Sequence, residues 1–209
     1  MPSGVRKPGD PPSDRRKQIL RAAVEVFAER GFHRTRVSDI AQKAGVAYGL
    51  IYHYFDSKDD VLNSVFEENW NVFLKMLRDL RDHPDQPAGE KLGSVAELLL
   101  DALEVAPSII QVIIQEISRS SRFTQSENVT AFHEAFAIVR EIIEAGQAAG
   151  VLRPSLDPQV AAHMFFGALE TVCTGFMLRA ITCDTPEELA RVKATVNEVI
   201  LHGLSKESE

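Results

Sequence analysis

Residues 44–58 read AGVAYGLIYHYFDSK, and this stretch decides the fold of the N-terminal part of the chain. The preceding segment, 37–44, has its apolar residues at helical spacing, and Gly45 predicts that this helix ends in a tight turn. A very short second helix follows, carrying three aromatic side chains and His53. Two short helices joined by a turn containing glycine predict a helix-turn-helix, whose second helix can enter a DNA major groove.

The same stretch resembles the recognition segment of TetR-family transcriptional regulators, commonly written AGVSxGxxYxYFxxK. The resemblance implies a three-helix head, a long fourth helix and a larger regulatory domain, assembled as a homodimer on an operator of double-stranded DNA. Two positions depart from the pattern. Ala47 stands where serine is common, and Arg36 stands where the second helix usually has a capping Thr or Ser.

The charge of the chain is unevenly distributed. Residues 1–56 contain ten Lys and Arg against six Asp and Glu, a net +4, whereas the remainder contains 13 against 24, a net −11. A basic N-terminal segment on an acidic body is typical of a DNA-binding head joined to a regulatory domain. Chance clustering on a solvated surface is the alternative that charge alone leaves open.

The hydrophobic periodicity predicts an all-α protein of about nine helices, because no segment alternates with the period of a strand. We predict a disordered arm over 1–13, a helix-turn-helix DNA-binding domain over 14–56 and a ligand-binding and dimerisation domain over 57–205. Ser57, Asp157 and Thr185 are expected to cap the fourth, eighth and ninth helices. The eighth helix is expected over 158–181 and the ninth over 186–204.

The DNA interface needs cations and hydroxyls for phosphates, and side chains at the start of the recognition helix for base edges. The resemblance to TetR proteins implies that phosphates are clasped from positions 35, 52, 53 and 58. Base reading is expected at the turn, where Gly49 permits close approach. Tyr52 could equally be a core aromatic whose hydroxyl points outward. The expected DNA-binding residues are Thr35, Arg36, Ala47, Tyr48, Gly49, Tyr52, His53 and Lys58.

The eighth and ninth helices are apolar on several faces, so several faces must be covered. Two such helices from each subunit, paired about a two-fold axis, predict a four-helix interface and hence a homodimer. The apolar positions include Val160, Met164, Phe165, Leu169, Val172, Leu189, Val192, Val196, Val199 and Ile200.

The fifth to eighth helices carry enough apolar surface to line a long cavity or to fill a plain core. The segments GVAYGLIYHYFDSKDDVL and PQVAAHMFFGALETVCTGFML look similar to FadR-type members of the family. That resemblance implies a small-molecule effector, long-chain acyl-CoA, which releases a repressor of fatty-acid degradation from DNA. A different apolar ligand controlling an efflux or other catabolic operon is the alternative. The expected ligand-binding residues are Leu99, Leu103, Ile110, Ile113, Ile114, Ile117, Arg119, Arg122, Phe136 and Phe166, the two arginines being candidates for the CoA head or plain surface residues.

Other classes of function are not predicted. The chain has no readable Gly-rich phosphate loop, Ser-centred elbow or Cys–His pairing, so we expect no enzyme, no metal and no cofactor.

No run of about 18 apolar residues occurs, and the polar N-terminus is unlike a secretory signal, so we expect a cytoplasmic protein without membrane contact. Cys173 and Cys183 are expected to be reduced core residues rather than a disulfide.

Overall fold

The computed structural model describes residues 12–114, 128–182 and 185–205, and these ranges contain nine helices and no strand. The prediction of an all-α protein is therefore confirmed. The chain divides into two compact units, Met1–Glu68 and Asn69–Glu209. The helices are α1 (Pro12–Arg30), α2 (Val37–Ala44), α3 (Tyr48–Tyr54), α4 (Lys58–Arg81), α5 (Ala88–Val105), α6 (Pro107–Val112), α7 (Asn128–Ala148), α8 (Pro158–Met177) and α9 (Pro186–Leu204).

The first unit is built around the apolar stripe of α1. Ile19, Ala23 and Phe27 of that stripe are buried together with Ile40 of α2 and Ile51 of α3. Each short helix thus contributes one large side chain to a common core, and burial of this kind stabilises a side chain by about 1.5–3 kcal/mol. The core fixes α2 and α3 in the arrangement that the sequence predicts.

The same unit includes the first turns of α4 and ends at Glu68, not at the predicted domain boundary of 56. Val61 and Val65 of α4 are buried, and Glu68 forms an ion pair with Arg16 of α1. The guanidinium carbon of Arg16 also lies 5.3 Å from the ring centroid of Phe55. The start of α4 therefore belongs structurally to the head.

The second unit has a core made by α5, α7 and α8. Leu100 of α5, Ile138 and Ile142 of α7, and Leu169 of α8 are almost completely buried. Helix α9 joins this core through Leu189 and Val196, which are buried, and through an ion pair of Lys193 with Asp101 on α5. Arg153 secures the C-terminal end of α9, since its guanidinium donates to the carbonyl oxygens of His202 and Ser205 at 2.8 Å each.

Three predicted helix caps are confirmed by their hydrogen bonds. The Oγ of Ser57 accepts from the backbone N–H of Asp60 at 3.1 Å, and Asp157 accepts from Val160 at 2.9 Å. The Oγ1 of Thr185 accepts from Glu188 at 3.2 Å. Each cap satisfies an N–H group that has no partner within its own helix.

The predicted end of α8 at 181 is wrong, because the helix stops at Met177. The backbone N–H groups of Ala180 and Ile181 both donate to the carbonyl of Gly175, which turns the chain back on itself. Arg179 adopts a left-handed conformation, with φ +54°, to allow this turn. A Cβ on Gly175 would lie 2.7 Å from the end of the Ile181 side chain, which would have to shift to admit a larger residue.

Two features of α8 bear on compartment and redox state. Helix α8 has the length and apolar composition of a membrane-spanning helix, contrary to the expectation that the chain contains no such segment. Its buried Cys173 is a free thiol whose pKa is raised to about 11 by burial, so it stays protonated and unreactive near neutral pH. The second cysteine, Cys183, lies outside the described residues.

Candidate nucleic-acid interface and effector site

The turn between α2 and α3 has the geometry that the sequence predicts. Gly45 caps α2 in a left-handed conformation, with φ +64°, and the N–H of Val46 donates to the carbonyl of Ala41 at 3.0 Å. The next residues, Ala47, Tyr48 and Gly49, are all exposed. A Cβ at Gly49 would have no atom within 4 Å, so the surface is open at that point. The start of α3 is thus accessible to a large partner.

Tyr48 and Tyr52 form a pair on the exposed side of α3. Their side chains are 54% and 48% exposed, and their hydroxyl oxygens are 3.1 Å apart. The rings meet edge to face, with centroids separated by 5.3 Å. The hydrogen bond with Tyr48 raises the pKa of Tyr52 above its ordinary value, because it favours the protonated phenol. The pair is suited to hydrogen bonding with phosphate or base edges.

Two residues expected to contact phosphate are directed into the head instead. Thr35 is only 2% exposed, and its hydroxyl donates to the carbonyl of Gly31 at 2.9 Å. Lys58 is half-buried, and its Nζ donates to the carbonyls of Phe32 and Thr35 at 2.6 and 2.9 Å. The Lys58 ammonium also lies 4.1 Å from the ring centroid of Phe32. In this structure both side chains brace the α1–α2 loop, because its carbonyl groups need donors.

Arg36 and His53 remain accessible, as expected of DNA-contacting residues. Arg36 precedes α2 and does not cap it with its side chain; its backbone N–H donates to the carboxylate of Asp39 at 2.8 Å. Asp39 thereby satisfies the backbone N–H of Arg36, whereas the guanidinium of Arg36 has only donors and cannot cap the helix. The exposed Lys43, by contrast, is held by Glu25 and Glu29 of α1, and these carboxylates raise its pKa.

The residues expected to bind an effector are distributed over the second unit. Leu99, Ile110 and Ile113 are half-buried, whereas Ile114 is buried. Phe136 and Phe166 lie together, with ring centroids 4.7 Å apart. The expected residues Ile117, Arg119 and Arg122 lie outside the described residues.

A cleft between the ends of α5, α6, α8 and α9 has a volume of about 470 Å³. Leu103, one of the expected residues, lines it together with Phe176 and Met177 of α8. Glu104 and Arg179 place one negative and one positive side chain in the same cleft. Its size falls within the range of small-molecule sites, and its lining is amphipathic.

A second cleft, of about 300 Å³, lies between α7 and α8 and is called the α7–α8 cleft below. It is lined by His133, Phe136, Ala137, Arg140, Gln159 and His163. Of these six residues only Phe136 is among the expected ligand-binding residues. The spacing of the lining residues is the sequence feature that predicts this grouping. Positions 133, 136, 137 and 140 share one face of a helix, and 159 and 163 are one turn apart.

Comparisons with known proteins agree with the fold and the head. The family pattern described as "Bacterial regulatory proteins, tetR family" matches residues 19–65, and that described as "Tetracyclin repressor-like, C-terminal domain" matches residues 85–176. The fatty acid metabolism regulator protein of Bacillus subtilis is 31% identical over 189 residues, which are 90% of this chain and 94% of that protein.

Two further similarities bear on function. The transcriptional repressor KstR2 of Rhodococcus jostii is 32% identical over 154 residues, 71% of this chain and 73% of that protein. The crystal structure of the regulator FadR from Bacillus subtilis in complex with stearoyl-CoA superposes with a TM-score of 0.78 at 31% identity, covering 90% of this chain and 98% of that one. The chain therefore belongs to the tetR family of bacterial regulatory proteins and is a transcriptional repressor of the TetR type, not an enzyme.

Proposed function

We propose that this repressor controls genes of fatty-acid degradation and leaves its operator when it binds a long-chain acyl-CoA. The observation that carries the proposal is the similarity, over 90% of the chain, to a regulator whose crystal structure contains stearoyl-CoA. The half-buried apolar side chains of α5 and α6, among them Leu99, Ile110 and Ile113, supply a surface suited to an acyl chain. The protein acts in the cytoplasm, without membrane contact, because its partners are DNA and a soluble effector.

The DNA-binding surface in this proposal consists of Arg36 and the exposed residues at the start and on the outer side of α3. Tyr48 reads a base edge or a thymine methyl group, while Tyr52, His53 and Arg36 bind phosphates. Thr35 and Lys58 support the surface from within through their bonds to the α1–α2 loop. Two heads bind one approximately palindromic operator, with half-sites about one helical turn apart, ~34–36 Å, or a multiple of it.

The homodimer in this proposal uses the exposed apolar positions of α8 and α9. Val160 and Met164 of α8 and Val199 of α9 are 56%, 70% and 67% exposed. Large apolar side chains left in solvent on two neighbouring helices mark an interaction surface. An isologous pairing of the same two helices from each subunit covers all three positions.

The test is a gel shift with palindromic DNA drawn from the regions upstream of the chain's own gene and of fatty-acid degradation genes in the same genome. Binding should weaken steeply as salt increases, because phosphate contacts release counterions. Palmitoyl-CoA or oleoyl-CoA should abolish the shift, since an effector acts only through different affinities for the two states. A response to none of a panel of acyl-CoA chain lengths would exclude the fatty-acid effector.

A second candidate function is control of another catabolic operon by a different apolar ligand. It is favoured by the similarity to the repressor KstR2, which is 32% identical over 71% of this chain. The same gel shift separates the two, because this candidate predicts that DNA binding survives every acyl-CoA and is lost with another apolar compound.

A further inference from the structure

We propose that the α7–α8 cleft binds a phosphate group of the effector. Arg140 is the cation that binds the phosphate, and Phe136 lines the cleft with an apolar ring. The inference rests on the proposed function for the identity of the effector, the acyl-CoA, but its chemistry comes from the cleft itself. The inference places the binding site of the CoA head group on α7 and α8. The sequence instead offers Arg119 and Arg122 as candidates for that role.

The strongest observation concerns Arg140. Within the described part of the chain its Nε is buried and has no hydrogen-bond partner. The carboxylate oxygen of Glu144 is 3.7 Å from this Nε, which is too long for a hydrogen bond. A buried donor without an acceptor is unfavourable, so an acceptor supplied by a ligand would be stabilising. Guanidinium groups bind phosphate with particularly strong, charge-assisted hydrogen bonds.

The other polar groups of the cleft suit an anion. His133, His163 and Gln159 surround Arg140, and no carboxylate belongs to the described lining. The Nδ1 of His163 lies 2.7 Å from the carbonyl oxygen of Gln159, so it donates there and leaves the other ring nitrogen for a ligand. The lining thus offers donors and positive charge in a space of about 300 Å³.

The aromatic groups connect the cleft with α4. The ring of Phe136 lies 4.5 Å from that of His163 and 5.1 Å from that of Phe132. Phe132 in turn stacks on Trp70 of α4 at 5.2 Å, and the indole N–H of Trp70 donates to the carbonyl of Ala131 at 2.9 Å. If His163 and Phe136 move when a ligand binds, these ring contacts should change the surroundings of Trp70. Because the chain has one tryptophan, its fluorescence reports on this path.

The experiment measures binding to the full chain by calorimetry and by Trp70 fluorescence, with palmitoyl-CoA, free coenzyme A, inorganic phosphate and palmitate as separate probes. We expect coenzyme A to bind and to change the fluorescence, whereas palmitate does not give the same change. Arg140→Gln should weaken coenzyme A binding at least tenfold, with a smaller loss in Arg140→Lys, which keeps the charge. His163→Asn should also weaken it.

Two matched controls separate these effects from general loss of charge. Arg191→Gln removes an exposed arginine from α9, and His83→Asn removes an exposed histidine that follows α4. Both should bind coenzyme A like the original protein. If Arg140→Gln unfolds, the fluorescence response of the unsubstituted protein to coenzyme A still tests the proposal, since no change at Trp70 on saturation would contradict it.

The outcomes distinguish this inference from the proposed function. Release of DNA by palmitoyl-CoA with unchanged affinity in Arg140→Gln would overturn the phosphate site and leave the repressor proposal intact. If coenzyme A binding depends on Arg140 but no acyl-CoA releases DNA, the phosphate site is supported and the proposal that acyl-CoA is the effector is contradicted. Inorganic phosphate binding as tightly as coenzyme A would overturn the assignment to the effector head, because the site would then select free phosphate.

Discussion

Tyr48 and Tyr52 act as one unit at the scale of the residue, because each hydroxyl is the other's hydrogen-bond partner. This bond holds both rings on the exposed side of α3 and leaves one hydroxyl proton of the pair for an outside acceptor. In the proposed complex with DNA, the pair therefore offers one hydroxyl donor in a fixed position.

Replacing Tyr48 by Phe should lower the pKa of Tyr52 toward its ordinary value of 10.0. The shift arises mainly from the hydrogen bond with Tyr48, which favours the protonated phenol, so its removal lets Tyr52 ionise at lower pH. Since the folded pKa is raised, the stabilisation by this bond is present below about pH 10 and is lost as the pH rises further. Ultraviolet difference titration at the tyrosinate band measures the change, and Tyr54→Phe should leave the Tyr52 titration in place.

Lys58 gives a second prediction at the residue scale. Replacing it by Met should lower the free energy of unfolding by about 1–3 kcal/mol, because two charge-assisted hydrogen bonds to loop carbonyls are lost. The slope of log affinity against log salt should not change, since no phosphate contact is removed. Arg36→Gln is the control, expected to lower that slope by about one without loss of stability. Chemical denaturation and DNA titrations at several salt concentrations measure both, and a slope reduced by about one in Lys58→Met would show that the lysine contacts DNA.

At the scale of the element, α2 and α3 differ in the roles of their two glycines, one in the turn between the helices and one within α3. Gly45 is left-handed and Gly49 is helical, yet neither would meet another atom with an added Cβ. Steric space is therefore equal at the two positions, and only backbone conformation distinguishes them.

Substitution of these glycines by alanine should have opposite effects on stability. Gly45→Ala should destabilise the protein by about 1–2 kcal/mol, the cost of a left-handed alanine. Gly49→Ala should stabilise it by up to about 0.5–1 kcal/mol, because alanine favours a helix. Both should weaken DNA binding, the first by loosening the turn and the second by blocking close approach. Thermal unfolding and gel shifts measure the two effects, and full DNA affinity in Gly49→Ala would argue against close approach at α3.

At the scale of the whole molecule, the proposed dimer covers the apolar faces of α8 and α9, where Met164 and Val199 are largely exposed. Met164→Glu should convert the dimer to a monomer and lower operator affinity at least tenfold, because two linked heads bind far more tightly than one. Light scattering after gel filtration measures the mass. Val72→Glu, at an exposed position on α4, is the control and should leave the dimer intact. If Met164→Glu remains a dimer, the proposal that Met164 lies in the dimer interface is contradicted.

Much of this architecture follows from local sequence. The caps at Ser57, Asp157 and Thr185 and the glycine at 45 set helix ends by bonds within a few residues, so they can be predicted without the fold. The start of the recognition helix is likewise exposed because its own residues are small or polar-tipped. Sequence resemblance was sufficient for the family because the head is a short, contiguous motif.

The sequence by itself determined an all-helical chain with a helix-turn-helix near its N-terminus, because helical periodicity and turn chemistry are local. Only the tertiary structure decided which way polar side chains point. It turned Lys58 and Thr35 inward to the carbonyls of a loop more than twenty positions away from that lysine. It also brought Arg140 and His163, from different helices, into one cleft. Such pairings depend on how helices pack, and packing is a property of distant residues that no local pattern encodes.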